Sequence, residues 1–141
     1  MFAGKTIRLL SAVLLFSFTT SLFAQSSDEI LAPFKVGTFS INGSAELGLV
    51  FRDALIVELD AANASLENAG MVPEIPMPDD MIDLIERYEY GLKRRLYEIA
   101  NYLVLNDLLD IDRPAWIHVL DTIDTLPPIM YPGKIMNAAV N

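Results

Sequence analysis

The sequence predicts an α+β fold: a small antiparallel β-meander covered by an amphipathic helical segment, followed by a Pro-rich linker and an orphan strand. Three observations lead there. The apolar period is close to two over residues 34–59 and changes to 3.6 over 81–103. Asn42-Gly43 lies between two alternating runs, the strongest short-range hairpin signal. Prolines cluster at Pro73, Pro76 and Pro78 and again at Pro127, Pro128 and Pro132, and neither cluster can continue a helix.

Residues 1–24 read MFAGKTIRLLSAVLLFSFTTSLFA. Lys5 and Arg8 form a positive leading region, an apolar run follows to Phe18, and Ala24 precedes the polar stretch Gln25-Ser26-Ser27-Asp28-Glu29. That order is the pattern of a secretory signal peptide, with Ala24 and Gln25 flanking the processing site. The apolar run is short of the about 20 residues a membrane span requires, which favours cleavage over a retained N-terminal anchor. The expected destination is the periplasm or the exterior, with no stable membrane span after cleavage. The chain has no cysteine, so stability must come from burial, and 52% apolar residues allow it.

The formal charge is −9, from 10 basic and 19 acidic residues. Loss of Lys5 and Arg8 with the signal peptide takes it two units further, to −11. A chain this acidic lacks the basic footprint that nucleic acid or an anionic membrane surface requires. The cluster Lys93-Arg94-Arg95 sits among acids in a helical pattern and reads as a solvated helix face.

After a polar leader over 25–33, an α+β domain is expected over 34–121. FKVGTFS, AELGLVF and ALIVEL supply three strands, joined by turns at 41–44 and 52–53. Asp60 is placed to cap a short helix over 61–69, which Gly70 closes. The segment 71–78 is an extended connector. From Asp79, Met81, Ile85, Tyr88, Leu92, Leu96, Ile99 and Leu103 keep one apolar stripe. Gly91 leaves two readings open: one continuous rod, or a break near 88–91. The stripe reads as core laid over the meander. Residues 106–114 form an acidic loop, 115–120 a short strand, 122–133 a Pro-rich linker, and 134–141 the orphan strand.

A catalytic constellation is hard to assemble from these residues. His118 is the only histidine; it alternates with Ile117 and Val119, has no evident acid–base partner, and reads as structural. Zinc ligand sets fail for want of cysteine and a second histidine. Pro132-Gly133-Lys134 lacks the flanking residues of a phosphate-binding loop. Asp79/Asp80 and Asp110/Asp112 lack the loop of a calcium site, and helix capping and a solvated loop account for them. No catalytic, cofactor-binding or metal-binding residue is assigned.

Two stretches resemble the fumarylacetoacetate hydrolase superfamily. FKVGTFSINGSAELGLVFRDALIVELDAA, with MIDLIERYEYGL after it, looks like the leading domain of bacterial members. PPIMYPGKIMNAAVN is similar to the linker and opening of the catalytic domain, Pro-x-Lys-Ile-x-x-x-Gly-x-Asn-Tyr. Lys134, Ile135 and Asn141 match, and Ala139 stands where Gly is usual. Together the two cover most of residues 34–141. The resemblance implies a divalent metal, Mg²⁺, Mn²⁺ or Ca²⁺, that polarises a diketo or 2-oxo acid, and a His/Glu pair that activates water for C–C hydrolysis. Relatives decarboxylate or isomerise.

In the family those groups follow the Asn-Tyr. This chain is therefore expected to be an inactive N-terminal fragment of an exported hydrolase, with the catalytic domain as its missing intramolecular partner. The resemblance is compatible with a homodimeric full-length parent. The alternative is a freestanding secreted accessory or binding module without catalysis. The apolar stub 134–141 favours the fragment, since an exposed strand edge promotes aggregation. Mass spectrometry of the protein from its native host is expected to find a mature N-terminus at Gln25, whereas an intact Met1 in the cytoplasmic fraction would contradict export.

Overall fold

The computed structural model describes residues 29–134. The expected signal segment with Ala24 and Gln25, the start of the expected polar leader, and the expected orphan strand beyond Lys134 lie outside the described residues. The described chain is α+β. Its strands are β1 (Phe34–Ile41), β2 (Ser44–Phe51), β3 (Leu55–Glu58), β4 (Ile117–Val119) and β5 (Asp124–Leu126). Three helices lie between β3 and β4: α1 (Leu59–Asn68), α2 (Met81–Arg87) and α3 (Leu92–Leu105). The sheet is antiparallel throughout, in the order β4-β3-β2-β1-β5.

The expected meander forms the centre of this sheet. Ile41 pairs with Ser44, leaving Asn42 and Gly43 as a two-residue loop with φ of 52° and 84°. Positive φ at both positions is the primed turn that matches the strands' own twist. Arg52 and Asp53 also have positive φ, and the Ala54 amide closes their turn onto the Phe51 carbonyl at 3.1 Å. The Pro-rich segment is extended as expected, but it does more than link: Asp124–Leu126 pairs with Thr38–Ser40 as a fifth strand.

Strand order and register together force the sheet to roll up. Val119 pairs with Leu55, Leu55 with Phe51 and Phe51 with Phe34, whereas Asp124 pairs with Ser40. In a flat sheet Val119 and Asp124 would be roughly 28 Å apart, from strand spacings of about 4.8 Å and a rise of about 3.3 Å per residue. Only residues 120–123 join them, and the chain over that interval spans about 18 Å at most. Part of it is coiled into a 3₁₀ turn, Leu120–Thr122, which shortens the reach further. The sheet is therefore strongly curled, with β4 and β5 as its two edges.

Curling gives each face its own core. Leu47, Leu49, Phe51, Leu55 and Val57 face the helices, where they meet Leu59, Leu66, Leu96, Ile99 and Leu103. Phe39, Ile41, Val50 and Ile56 fill the other face, and Leu120 and Ile123 of the short connection pack against them. Gly37 and Gly48 are directly opposite each other across β1 and β2. The Phe39 ring occupies the space their missing side chains leave: a Cβ at Gly48 would lie 2.9 Å from the ring and 2.8 Å from Ile56.

Between β3 and β4 one expectation changes and one open reading is decided in favour of the break. Glu58, not Asp60, occupies the position before α1, and it makes no side-chain cap; Asp60 lies inside the first turn. The helix starts earlier because β3 runs straight into it without a connecting residue. Gly70 closes α1 with φ of 70°, as expected. The long stripe is broken. Asp80 caps α2 by accepting from the amides of Ile82 (2.8 Å) and Asp83 (2.9 Å), and Gly91, at φ 108°, separates α2 and its 3₁₀ extension from α3. The break rotates the stripe. Ile85 is 58% exposed, and Leu84 is buried in its place. The 106–114 loop is anchored by Leu109, which is 1% exposed.

Gly48→Ala is expected to destabilise the chain by about 1–3 kcal/mol, because a methyl group must displace Phe39 or Ile56 from a filled core. Urea denaturation reads the loss directly, and an unchanged midpoint would show that the ring has room to move.

Candidate functional site

The largest departure from a plain packed core is a buried polar cluster on α1 and α3. Arg95 was expected on a solvated face with Lys93 and Arg94, but it is 3% exposed. It lies one turn from Leu92 and Ile99 on the buried face of α3, so its guanidinium must find partners inside. It donates to Asn63 Oδ1 (3.0 Å), Glu67 Oε1 (3.3 Å) and the Pro73 carbonyl (2.6 Å). Asn63 donates to Glu67 and to the Ile75 carbonyl, and Glu67 accepts the Ile75 amide at 2.8 Å. Among the described residues no buried side-chain polar atom lacks a partner. The cluster ties the Pro-rich connector to the helices and so fixes where α2 begins.

That placement opens a cleft of about 210 Å³. One wall is the β1–β2 hairpin at Thr38 and 45–47, the second is the start of α2 at 79–82, and the third is the segment 128–131 after β5. The Thr38 hydroxyl donates to the Pro128 carbonyl (3.1 Å) and holds the third wall against the first. A smaller recess of about 80 Å³ shares Glu46, Leu47 and Asp79 with it and adds Glu58 and Asp60.

Charge in this region is one-sided. Glu46, Glu58, Asp60, Asp79 and Asp80 border the two spaces, and among the described residues no lysine or arginine lines either. Burial, and then the charge of Asp79, push the Asp60 carboxyl above the ordinary carboxylate range. At the other carboxyl-rich site the sign is reversed. The Ile75 amide, helped by Asn63 and Arg95, holds the Glu67 carboxyl below its ordinary range against the effect of burial.

His118 has a partner after all. Its Nε2 lies 2.6 Å from Glu58 Oε1 across β3 and β4, with both side chains partly exposed. The two are a diagonal pair on the inner face, since His118 pairs directly with Ile56 and Glu58 lies two residues on. Residue alternation placed His118 in a strand, but the partner depends on register, which the sequence does not display. Asp110 pairs with Arg52 at the surface (2.6 Å), and that guanidinium, foremost through its hydrogen bond, lowers the Asp110 carboxyl. Asp79/Asp80 and Asp110/Asp112 thus serve capping, cleft border and loop, and the structure does not unite them.

Among the described residues no three His, Asp or Glu side chains converge on a point that could hold a metal ion. Ile135, Ala139 and Asn141 of the resembling motif lie outside the described residues, and Lys134 is exposed at their edge. Among the described residues no helix is long and apolar enough to cross a membrane. No protein-family model, curated protein or solved structure matches the chain.

The two shifted carboxyls predict opposite pH behaviour. The Glu67 carboxyl is lowered on folding, so its contribution is present above the ordinary value of 4.5 and is lost as pH falls through the folded value. Glu67→Gln is therefore expected to lower the melting temperature at pH 7, by an amount that shrinks in acid. Asp60 is raised, so its ionised form opposes folding at neutral pH, and the penalty vanishes below 3.8. Asp60→Asn is expected to raise the melting temperature at pH 7 and to leave it unchanged in strong acid. Melting curves from pH 7 to about pH 3 check both signs.

Proposed function

We propose that this α+β module is the leader domain of an exported fumarylacetoacetate hydrolase-like enzyme, in which it is a non-catalytic support. The observation that carries the reading is the path of the chain after β4. The Pro-rich linker first completes the sheet as β5, Asp124–Leu126, paired with β1, and the stretch resembling the family begins directly after it at Pro127. It then runs along the cleft wall at 128–131 and leaves as Pro132-Gly133-Lys134, the start of the resembling motif. A linker built into the sheet holds what directly follows it in a defined relation to the sheet. The metal, Mg²⁺ or Mn²⁺, and the chemistry on diketo or 2-oxo acids belong in this reading to residues that follow the motif in such an enzyme. The alternative, a freestanding accessory module, keeps the same curled sheet and uses the cleft itself.

Two measurements test the proposal. The 141-residue chain, supplied with Mg²⁺ or Mn²⁺ and acetylpyruvate, is expected to show no turnover; metal-dependent turnover by the pure chain would overturn the non-catalytic role. The gene is expected to read on through codon 141 into Tyr and a His-x-x-Glu segment. A stop codon there would overturn the leader reading in favour of the accessory module.

A further inference from the structure

We infer that the cleft beside α2 docks a basic, apolar-studded peptide segment of a partner protein. The inference rests on the cleft alone and not on the hydrolase reading. Its shape supplies the apolar part. Leu47 and Met81 lie at its base, and Ile82 and Met130 (each 39% exposed) and Tyr131 (88%) present uncovered surface along its border. An exposed concave apolar surface with a polar rim is the usual form of a docking site.

Charge selects the occupant. Among the described residues Glu46, Asp60, Asp79 and Asp80 form no ion pair, unlike the carboxylates of Asp53, Asp83, Glu67, Glu98 and Asp110. The rim therefore presents uncompensated negative charge in a protein that is itself acidic, which raises the encounter rate with a cationic partner. The carboxylates run along the cleft and its adjoining recess and do not converge in threes on a point. A field drawn out in this way suits several ammonium or guanidinium groups spaced along a chain better than one compact metal ion. Alternating cations and apolar side chains would set the charges against the rim and the apolar groups against Ile82 and Met130. The charge of Asp79 helps to raise the Asp60 carboxyl, and a bound cation relieves that repulsion.

Fluorescence anisotropy on the purified chain tests the inference with three labelled peptides: Lys-Leu-Lys-Leu-Lys, Lys-Ser-Lys-Ser-Lys and Ser-Leu-Ser-Leu-Ser. The first is expected to bind about tenfold more tightly than either of the others, and to weaken as NaCl rises from about 50 to about 500 mM. Glu46→Gln with Asp79→Asn is expected to cost about tenfold in affinity for it. Asp107→Asn with Asp112→Asn makes the same charge change outside the cleft and is expected to cost less than about twofold. Met130→Ser, at an exposed position, is expected to weaken only the leucine-containing peptides, a readout independent of the double variant's folding. Equal losses in the two double variants would overturn the inference in favour of diffuse attraction. So would equal binding of the first two peptides. Displacement of the peptide by Ca²⁺ would replace it with a metal-ion site. A dimer that the cleft variants abolish without peptide would replace it with self-association.

Discussion

Everything in the described chain is arranged around the shortness of one connection. Residues 120–123 must carry the backbone from one edge of a five-stranded sheet to the other, and from the level of Phe34 to that of Ser40. A twisted sheet meets that demand by curling and tilting its strands. Curling narrows the inner face until Phe39, Ile41, Val50 and Ile56 fill it, and the connection supplies Leu120 and Ile123 to finish the packing. The same narrowing explains the facing glycines at 37 and 48, where a ring needs the volume that two side chains would take.

The outer face is ordered by a second device, the guanidinium of Arg95. A buried cation is stable only when its donors are used, and here they are spent on a helix side chain, a carboxylate and the backbone of a proline-rich segment that cannot form regular structure of its own. Glu67 completes the link by accepting the Ile75 amide. With the connector held on α1 and α3, Pro78 is buried and Asp80 reaches the start of α2 as its cap. The position of the cleft is thus set from a distance, through backbone contacts of residues 73–75.

Local signals in the sequence were read well where the physics is local. The Asn42-Gly43 turn, the three-strand meander, the extended proline segments and the buried stripe from Leu92 to Leu103 all follow from residue type and period. What escaped depends on contacts far apart in sequence. Asp124–Leu126 is too short to announce itself as a strand, and its pairing with β1 is a consequence of the curl of the sheet. The partnership of His118 with Glu58 follows from β3–β4 register. Arg95 was misplaced for a different reason: its spacing from Leu92 and Ile99 put it on the apolar face, but its charge and its neighbours Lys93 and Arg94 suggested solvent. The cleft was invisible because its three walls come from residues 38–47, 79–82 and 128–131.

The pairing of β5 with β1 also bears on the order in which the molecule can assemble. The β1–β2 hairpin and α3 are made of contacts close in sequence and are available early. The seam that completes the sheet joins residues 38–40 to 124–126, so it brings together nearly the full described length. Pairings so distant in sequence slow folding, because the chain loses loop entropy before the contact forms. Until that seam closes, β1 has an open edge, the ring of Phe39 lacks its cover, and the third wall of the cleft does not exist. A chain emerging from its N-terminus therefore spends most of its synthesis as a hairpin with helices, and the cleft appears in the same step that covers the edge of β1.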